Sequence, residues 1–358
     1  MRILIEAAAL SRDDEWDAFV RSAPGGHHVQ TSRWGRVKAT SGWGTARVTV
    51  RDGGAIVGGC QVLVRSFGRL GAVGYAPRAP LIGAGRSPST DGAVLDGLDE
   101  LSRAARLRLL KLQPPIHRAD LGPALERRGY GPSELEAAPL ATVLVDLDRE
   151  EGEVLAAMRP GARSNIRKAT RKGVEIRSGG APDLPTFAAL VSRTSARQGF
   201  SPFPPRYYEQ IWNEFATGGD VTLLLAEQRG RVLSGALIVG YGEVAVYKMG
   251  AWSGERSDVH PNELMHWAGM RWARSRGHRF YDFDGIPVGV ARALLRGESP
   301  AGARSGTAHF KLGFGGEVRV FPGAYDRGRP RVLGVAARWS APRLQGVARR
   351  LLGRGASA

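Results

Sequence analysis

The residues able to do chemistry fall into a few short stretches. Residues 306–317 (GTAHFKLGFGGE) set His309, Phe310 and Lys311 just ahead of Gly313, Gly315 and Gly316, glycines that permit positive φ and let a ligand approach the backbone closely. Residues 158–174 (MRPGARSNIRKATRKGV) space Arg163, Arg167 and Arg171 four apart, with Lys168 adjoining. On a helix these cations share a face while Ile166 and Ala169 turn away. The stripe is either a phosphate-tracking surface or an ordinary solvated face. Asp282 and Asp284 in YDFDGI would point the same way on a strand, where repulsion raises one pKa. They are an acid–base pair, or Asp284 and Gly285 simply end the strand in a turn. Covalent catalysis has no support: no glycine–serine–glycine elbow is present, and Cys60, the sole cysteine, has no neighbouring histidine in the sequence. A single cysteine also excludes an intrachain disulfide and a cysteine-based metal site, and suits a reducing cytoplasm.

Positioning such residues takes folded elements, and the composition can build them. With 358 residues, 42% hydrophobic and 24% charged, the chain suits two domains with packed cores. Its 51 Lys and Arg against 34 Asp and Glu leave a net charge of +17. That excess favours polyanionic partners, or reflects an arginine-heavy composition throughout. Residues 1–10 read as a strand with no secretory signal, and no apolar run reaches bilayer-spanning length. Strands are expected at 46–50 and 55–64 around Asp52-Gly53-Gly54, a helix at 91–108 and a strand at 109–112. The second half repeats the order. Helices are expected at 150–172 and 185–199, strands at 221–227, 231–239 and 244–251, a helix at 261–277 and a strand at 279–283. Leu264, Trp267, Ala268, Trp272 and Ala273 form the apolar stripe of the 261–277 helix.

This order resembles the GNAT acyltransferase fold carried twice, an α/β (α+β) class with mixed, mostly antiparallel sheets flanked by helices. The expected domains are 1–146, completed by 321–358, and 147–320. The acyl-CoA turn of ordinary GNAT enzymes has only a poor candidate in residues 231–236 (RVLSGA), where Ser234 replaces the first glycine.

Three stretches in order resemble the Fem family of aminoacyl-tRNA-dependent transferases that build peptidoglycan cross-bridges: RSNIRKATRKGV, then YKMGA through PNELMHW to YDFDGI, then HFKLGFGGE. Fainter matches are QTSRWGRVK, with Trp34 and Lys38, and YAPRAP, with Arg78. The resemblance implies a tRNA-end channel holding Phe310 and Lys311, a precursor pocket using Lys38, Trp34, Arg78 and Tyr247, and a tRNA-facing helix with Arg163, Arg167, Lys168 and Arg171. Two departures lie on the acceptor side. Gln113 stands where relatives often have Asp, and Phe203 stands where well-studied relatives carry an arginine; Arg206 is the nearby candidate for that role, with Tyr207 beside it as a further substrate-binding residue. The family's coiled-coil arm has no matching heptads.

The chemistry implied is aminolysis of an ester: an acceptor amine attacks the carbonyl joining an amino acid to the tRNA ribose. Lys311 would face the oxyanion and Phe310 would stack on the terminal adenine. No metal or cofactor is expected beyond aminoacyl-tRNA as co-substrate; the acceptor is lipid II or UDP-MurNAc-pentapeptide. The location implied is cytoplasmic, or peripheral at the inner membrane face through the basic stretch 327–358, which lies on anionic lipid or docks on the first domain. The alternatives are tRNA-dependent amide formation on an antibiotic-like small molecule, an acyl-CoA N-acyltransferase, and a non-enzymatic RNA- or membrane-binding module.

Overall fold

The computed structural model describes residues 1–328 apart from 8, 10, 86, 134–136 and 305. Most of the basic C-terminal stretch, from 329 on, therefore lies outside the described residues. The elements run β1 (Arg2–Glu6), α1 (Asp14–Ser22), α2 (Ser32–Ala39), β2 (Gly44–Asp52), β3 (Ala55–Ser66), β4 (Ala72–Pro77), β5 (Leu81–Ile82), α3 (Pro88–Ala104), β6 (Leu107–Gln113), α4 (Gly122–Arg127) and β7 (Gly131–Pro132). There follow β8 (Ala141–Asp146), α5 (Glu151–Ala157), α6 (Pro160–Arg171), β9 (Glu175–Gly179), α7 (Leu184–Gln198), α8 (Pro205–Phe215), β10 (Val221–Gln228), β11 (Arg231–Tyr241) and β12 (Val244–Trp252). The remainder is α9 (Pro261–Ser275), β13 (Phe280–Asp282), α10 (Val288–Leu295), α11 (Gly306–Leu312), β14 (Glu317–Val320) and β15 (Tyr325–Gly328). None of the described helices is long and apolar enough to cross a membrane.

The described residues form two units, 1–140 with 321–328, and 141–320. The first holds an eight-stranded sheet in the order β1-β2-β3-β4-β6-β15-β7, with β5 paired to β3. The second holds seven strands, β14-β8-β13-β12-β11-β10-β9. Each is antiparallel except for one parallel pair, β4 with β6 and β12 with β13. A parallel pair needs a long crossover, and α3 and α9 supply it. The GNAT-like order of the sequence thus occurs twice in three dimensions. Strand β8, at the end of the first expected domain, is hydrogen-bonded into the second sheet beside β13 and β14.

Local chemistry sets the boundaries. Gly53 and Gly54, at φ of +55° and +90°, close the β2–β3 hairpin, as Asp-Gly-Gly predicts. Ser87 caps α3 by accepting the Thr90 N–H, with Pro88 next to it, so this helix begins three residues earlier than expected. The single helix expected at 150–172 is two, because Pro160 has no N–H to continue the ladder and starts a new helix instead. The first unit's core gathers Val48, Val62, Leu98, Leu110, Leu112 and Leu125. That of the second gathers Val143, Ile166, Leu224, Ile238, Met270 and Phe314.

Strand β15 enters between β6 and β7 and brings Asp326 to within 2.7 Å of the Lys111 ammonium, which is buried. Burial lowers the Lys111 pKa, and Asp326 counters it. Removing one partner of such a pair costs about 3–5 kcal/mol, whereas apolar replacement of both is close to neutral. Asp326→Leu is therefore expected to destabilise the protein by that amount in urea unfolding, and Lys111→Met with Asp326→Leu to recover most of it; equal losses in both variants would contradict this account of the pair.

Candidate active site

The second unit assembles its polar groups where β12, β13 and α11 meet. On β12, Leu237 pairs with Met249 but Ile238 with Tyr247, so Lys248 is the extra residue of a bulge. Bulges re-aim side chains. Here the Tyr247 ring comes 4.4 Å from that of His266, edge to face, and the Lys248 ammonium lies 3.4 Å from Asp284. The Tyr247 hydroxyl fills the space a Cβ on Gly250 would take, so that glycine is what admits the ring.

Strand β13 ends at Asp282 in a turn. Asp284 adopts φ +51° and donates its N–H to the Asp282 carboxylate at 2.7 Å. Thr142 on β8 donates its hydroxyl to the same carboxylate and accepts from the Gly285 N–H. The two aspartates therefore do not line one face of a strand; Asp282 is consumed in shaping the turn. The turn presents the Gly285 carbonyl, which accepts a 2.7 Å hydrogen bond from the Lys311 ammonium.

Lys311 is 4% exposed. Burial pulls its pKa down to about 8, against the opposing pull of Asp284 and Asp282. Phe310, half-buried, packs 5.4 Å from His266 and 5.2 Å from Phe314. The stretch HFKL is helical, not a glycine loop: Phe310 and Lys311 sit in the last turn of α11. The glycines that follow serve packing. Only Gly315 among the three has positive φ, and a Cβ there would meet the Ala157 carbonyl at 2.5 Å; one on Gly316 would meet Val143 and Val145. The expected close approach is to the protein's own backbone. Arg159, at the break between α5 and α6, donates its N–H to the Gly313 carbonyl and lays its guanidinium against His309. His309, exposed and tied to the Ala303 carbonyl, stands apart from the buried lysine.

His266 was missed by the sequence reading because the stripe of α9 was phased one residue away. The helix buries Met265, His266, Gly269, Met270 and Ala273, leaving Leu264, Trp267, Ala268 and Trp272 half-buried. Gly269 allows the approach: a Cβ there would crowd Ile238 and the Tyr281 hydroxyl. That hydroxyl is hydrogen-bonded to His266 Nδ1 at 3.0 Å.

The other expected site residues divide. Tyr207 is buried, stacked on Phe203 at 4.1 Å, and its pKa is raised by burial first, then by Tyr208 and Asp284. Arg206, its neighbour on α8, is exposed. On α6, Arg167 and Arg171 are exposed and Lys168 half-buried, but Arg163 donates to the Ala156 and Met158 carbonyls at the end of α5, so the basic stripe is shorter than expected. Asn165 of the same motif donates to Glu263 and ties α6 to α9.

In the first unit Lys38 is buried at 6% exposure, its ammonium 5.8 Å from the Trp34 ring, unlike the exposed lysine its helix position alone suggests. Arg78, at φ +54°, lays its guanidinium on the Phe321 ring and donates to the Pro139 carbonyl. Gln113 bonds the Tyr75 hydroxyl and the Pro139 carbonyl. Residues 231–236 lie within strand β11, which leaves no pyrophosphate-holding turn there.

Comparison with known proteins follows the same division. Residues 11–123 match the FemAB family and residues 156–300 the acetyltransferase (GNAT) domain. The sequence is 24% identical over 351 aligned residues to the lipid II:glycine glycyltransferase of Staphylococcus aureus (strain MRSA252), covering 76% of this chain and 83% of that one. In fold it resembles the crystal structure of FemX, with a TM-score of 0.79 at 22% identity over 94% of this chain and 99% of that one. A tandem GNAT protein from the clavulanic acid biosynthesis pathway gives 0.53 at 14% identity, covering 91% and 98%.

The buried imidazole makes a testable demand. Burial, and then the Lys311 charge, push the His266 pKa from 6.5 to about 3. Its folded pKa is depressed, so between those values only the unfolded chain takes up the proton, and folding stability falls as pH drops. His266→Gln is expected to flatten the acid limb of unfolding free energy against pH by up to about 1.4 kcal/mol per pH unit relative to the parent; parallel limbs would mean that His266 takes up its proton equally in the folded and unfolded chain.

Proposed function

We propose that the chain, which matches the FemAB family over residues 11–123 and is a transferase of acyl or aminoacyl groups, moves an amino acid from aminoacyl-tRNA to an amine of a peptidoglycan precursor, building a cell-wall cross-bridge. The observation that carries this reading is the Lys311 ammonium, buried beside Phe310 and hydrogen-bonded to a carbonyl. The name of the staphylococcal relative supports a peptidoglycan precursor as acceptor, and favours lipid II over the UDP-linked form.

In this reaction the neutral acceptor amine attacks the ester carbonyl carbon, and electrons move onto the carbonyl oxygen. The tetrahedral intermediate collapses by breaking the bond to the ribose oxygen, which takes up the proton the amine loses. The ester is already activated, so position and charge supply the acceleration. Lys311 faces the oxyanion: an ammonium has three donors, and the Gly285 carbonyl fixes one of them, orienting the rest. Phe310, half-exposed, offers a face for the terminal adenine. Arg167, Lys168 and Arg171 serve the tRNA phosphates, and Tyr247 and Tyr207 the acceptor. In the first unit Lys38 and Trp34 form a second precursor-binding group.

Purified protein incubated with labelled aminoacyl-tRNA and either lipid II or UDP-MurNAc-pentapeptide is expected to transfer label to lipid II and to stop after ribonuclease treatment; transfer that survives ribonuclease would sink tRNA dependence. Lys311→Met is expected to lower turnover about a hundredfold or more with little change in precursor binding, and equal losses in both would assign Lys311 to the pocket wall. Because the charged form is required and its pKa is about 8, turnover at saturating substrate should fall as pH rises through that value, and Lys311→Arg should move that limb upward.

A further inference from the structure

We propose that the tip of the β3–β4 hairpin is a docking surface for an anionic lipid bilayer. This lies beyond the transfer reaction and does not depend on it. Residues 67–71 form a tight turn around a short 3-10 segment, Gly68–Leu70. It leaves two large apolar side chains in water, Leu70 at 79% exposure and Phe67 at 40%. Lone exposed apolar residues are unremarked features of any surface, but these two lie three residues apart in one exposed turn.

Most of the turn's backbone is already paired. Phe67 N–H donates to the Gly71 carbonyl at 2.8 Å, Leu70 N–H to the Phe67 carbonyl at 3.3 Å, and Gly71 N–H to the Gly68 carbonyl at 3.1 Å. The Leu70 carbonyl accepts from Arg108 Nε at 3.2 Å. A turn whose polar groups are mostly paired internally strands few of them on entering a headgroup region.

Charge complementarity names the partner. Arg69 lies between the apolar pair, and Arg106 and Arg108 border the turn, the Arg106 carbonyl accepting from Ala72 N–H. Ala72 and Leu107 are opposite each other where β4 and β6 begin. Strand β15 runs antiparallel to β6, with Gly328 opposite Leu109, so the chain leaves the sheet at this same end. An aliphatic and an aromatic tip rimmed by arginine matches the boundary between anionic headgroups and acyl chains. RNA would use the arginines and stack on the phenylalanine, but has no use for Leu70.

The test places a reporter on the tip of the full chain. Leu70→Cys is labelled with an environment-sensitive dye; the native Cys60 is buried and stays unlabelled. A blue shift that saturates with phosphatidylglycerol vesicles, is absent with pure phosphatidylcholine, and weakens in Arg69→Gln/Arg106→Gln is the expected result. Phe67→Ser should lower vesicle affinity by about tenfold. No shift on anionic vesicles overturns the proposal, even if the protein co-sediments with them, because binding then lies elsewhere in the chain. An equal shift with tRNA overturns it in favour of RNA, and a shift that grows with protein concentration alone overturns it in favour of a second copy.

Discussion

An ammonium almost wholly removed from water is held in the second unit by one carbonyl, and much of the surrounding structure follows from keeping it there. Desolvation of such a charge is costly unless its donors are met. The Gly285 carbonyl meets one because Asp282 and Thr142 lock the turn that offers it. Thr142 is in place because β8 pairs with β13. Helix α11 reaches the turn because Gly315 and Gly316 let the following chain close against Ala157 and β8. The rings of His266 on α9, Phe283 just after β13 and Phe314 just after α11 pack on one another beside it. The result is a cation whose pKa is shifted but whose charge no direct carboxylate contact among the described residues neutralises.

The two units repeat one architecture and treat a buried lysine in opposite ways. Each has an antiparallel meander, a crossover helix and a parallel strand. In the first, Lys111 lies on that parallel strand and meets Asp326 directly; its charge is used up in joining strands. In the second, Lys311 meets a neutral dipole, with Asp282 and Asp284 acting from further away. A formal negative partner would quench the field that a reacting oxyanion needs. The fold is duplicated, but one lysine ends in an ion pair and the other against a neutral carbonyl.

The sequence disclosed the fold well because it depends on periodicity and turn residues, which are local. The hairpin at Gly53-Gly54, the meander from β10 to β12 and the order of elements in both halves were all legible. What was not legible depended on tertiary context. The stripe of α9 looked centred on Trp267 because tryptophan dominates any apolar count, yet Gly269 is what the sheet accepts, and that places His266 inside. Arg163 looked like part of a phosphate stripe until Pro160 broke the helix and left carbonyls for it to bond. The glycines after Lys311 were read as room for a ligand, but the neighbour they admit is Ala157. Lys38 stands out by its motif, though nothing local shows that it is buried.

Strand β15 has a further implication for how the molecule comes into being. It lies inside the first sheet, between β6 and β7, yet it is made only after all of the second unit's described residues. On a ribosome, the first 140 residues emerge with β6 ending in an unpaired edge and with Lys111 lacking its carboxylate. Such an edge invites pairing with other chains, and domains emerging first are ordinarily able to finish folding first. Here the order of completion is reversed: the second unit has its whole sheet before the first does. The nascent first unit must wait, partly open, for four residues from the far end of the described chain.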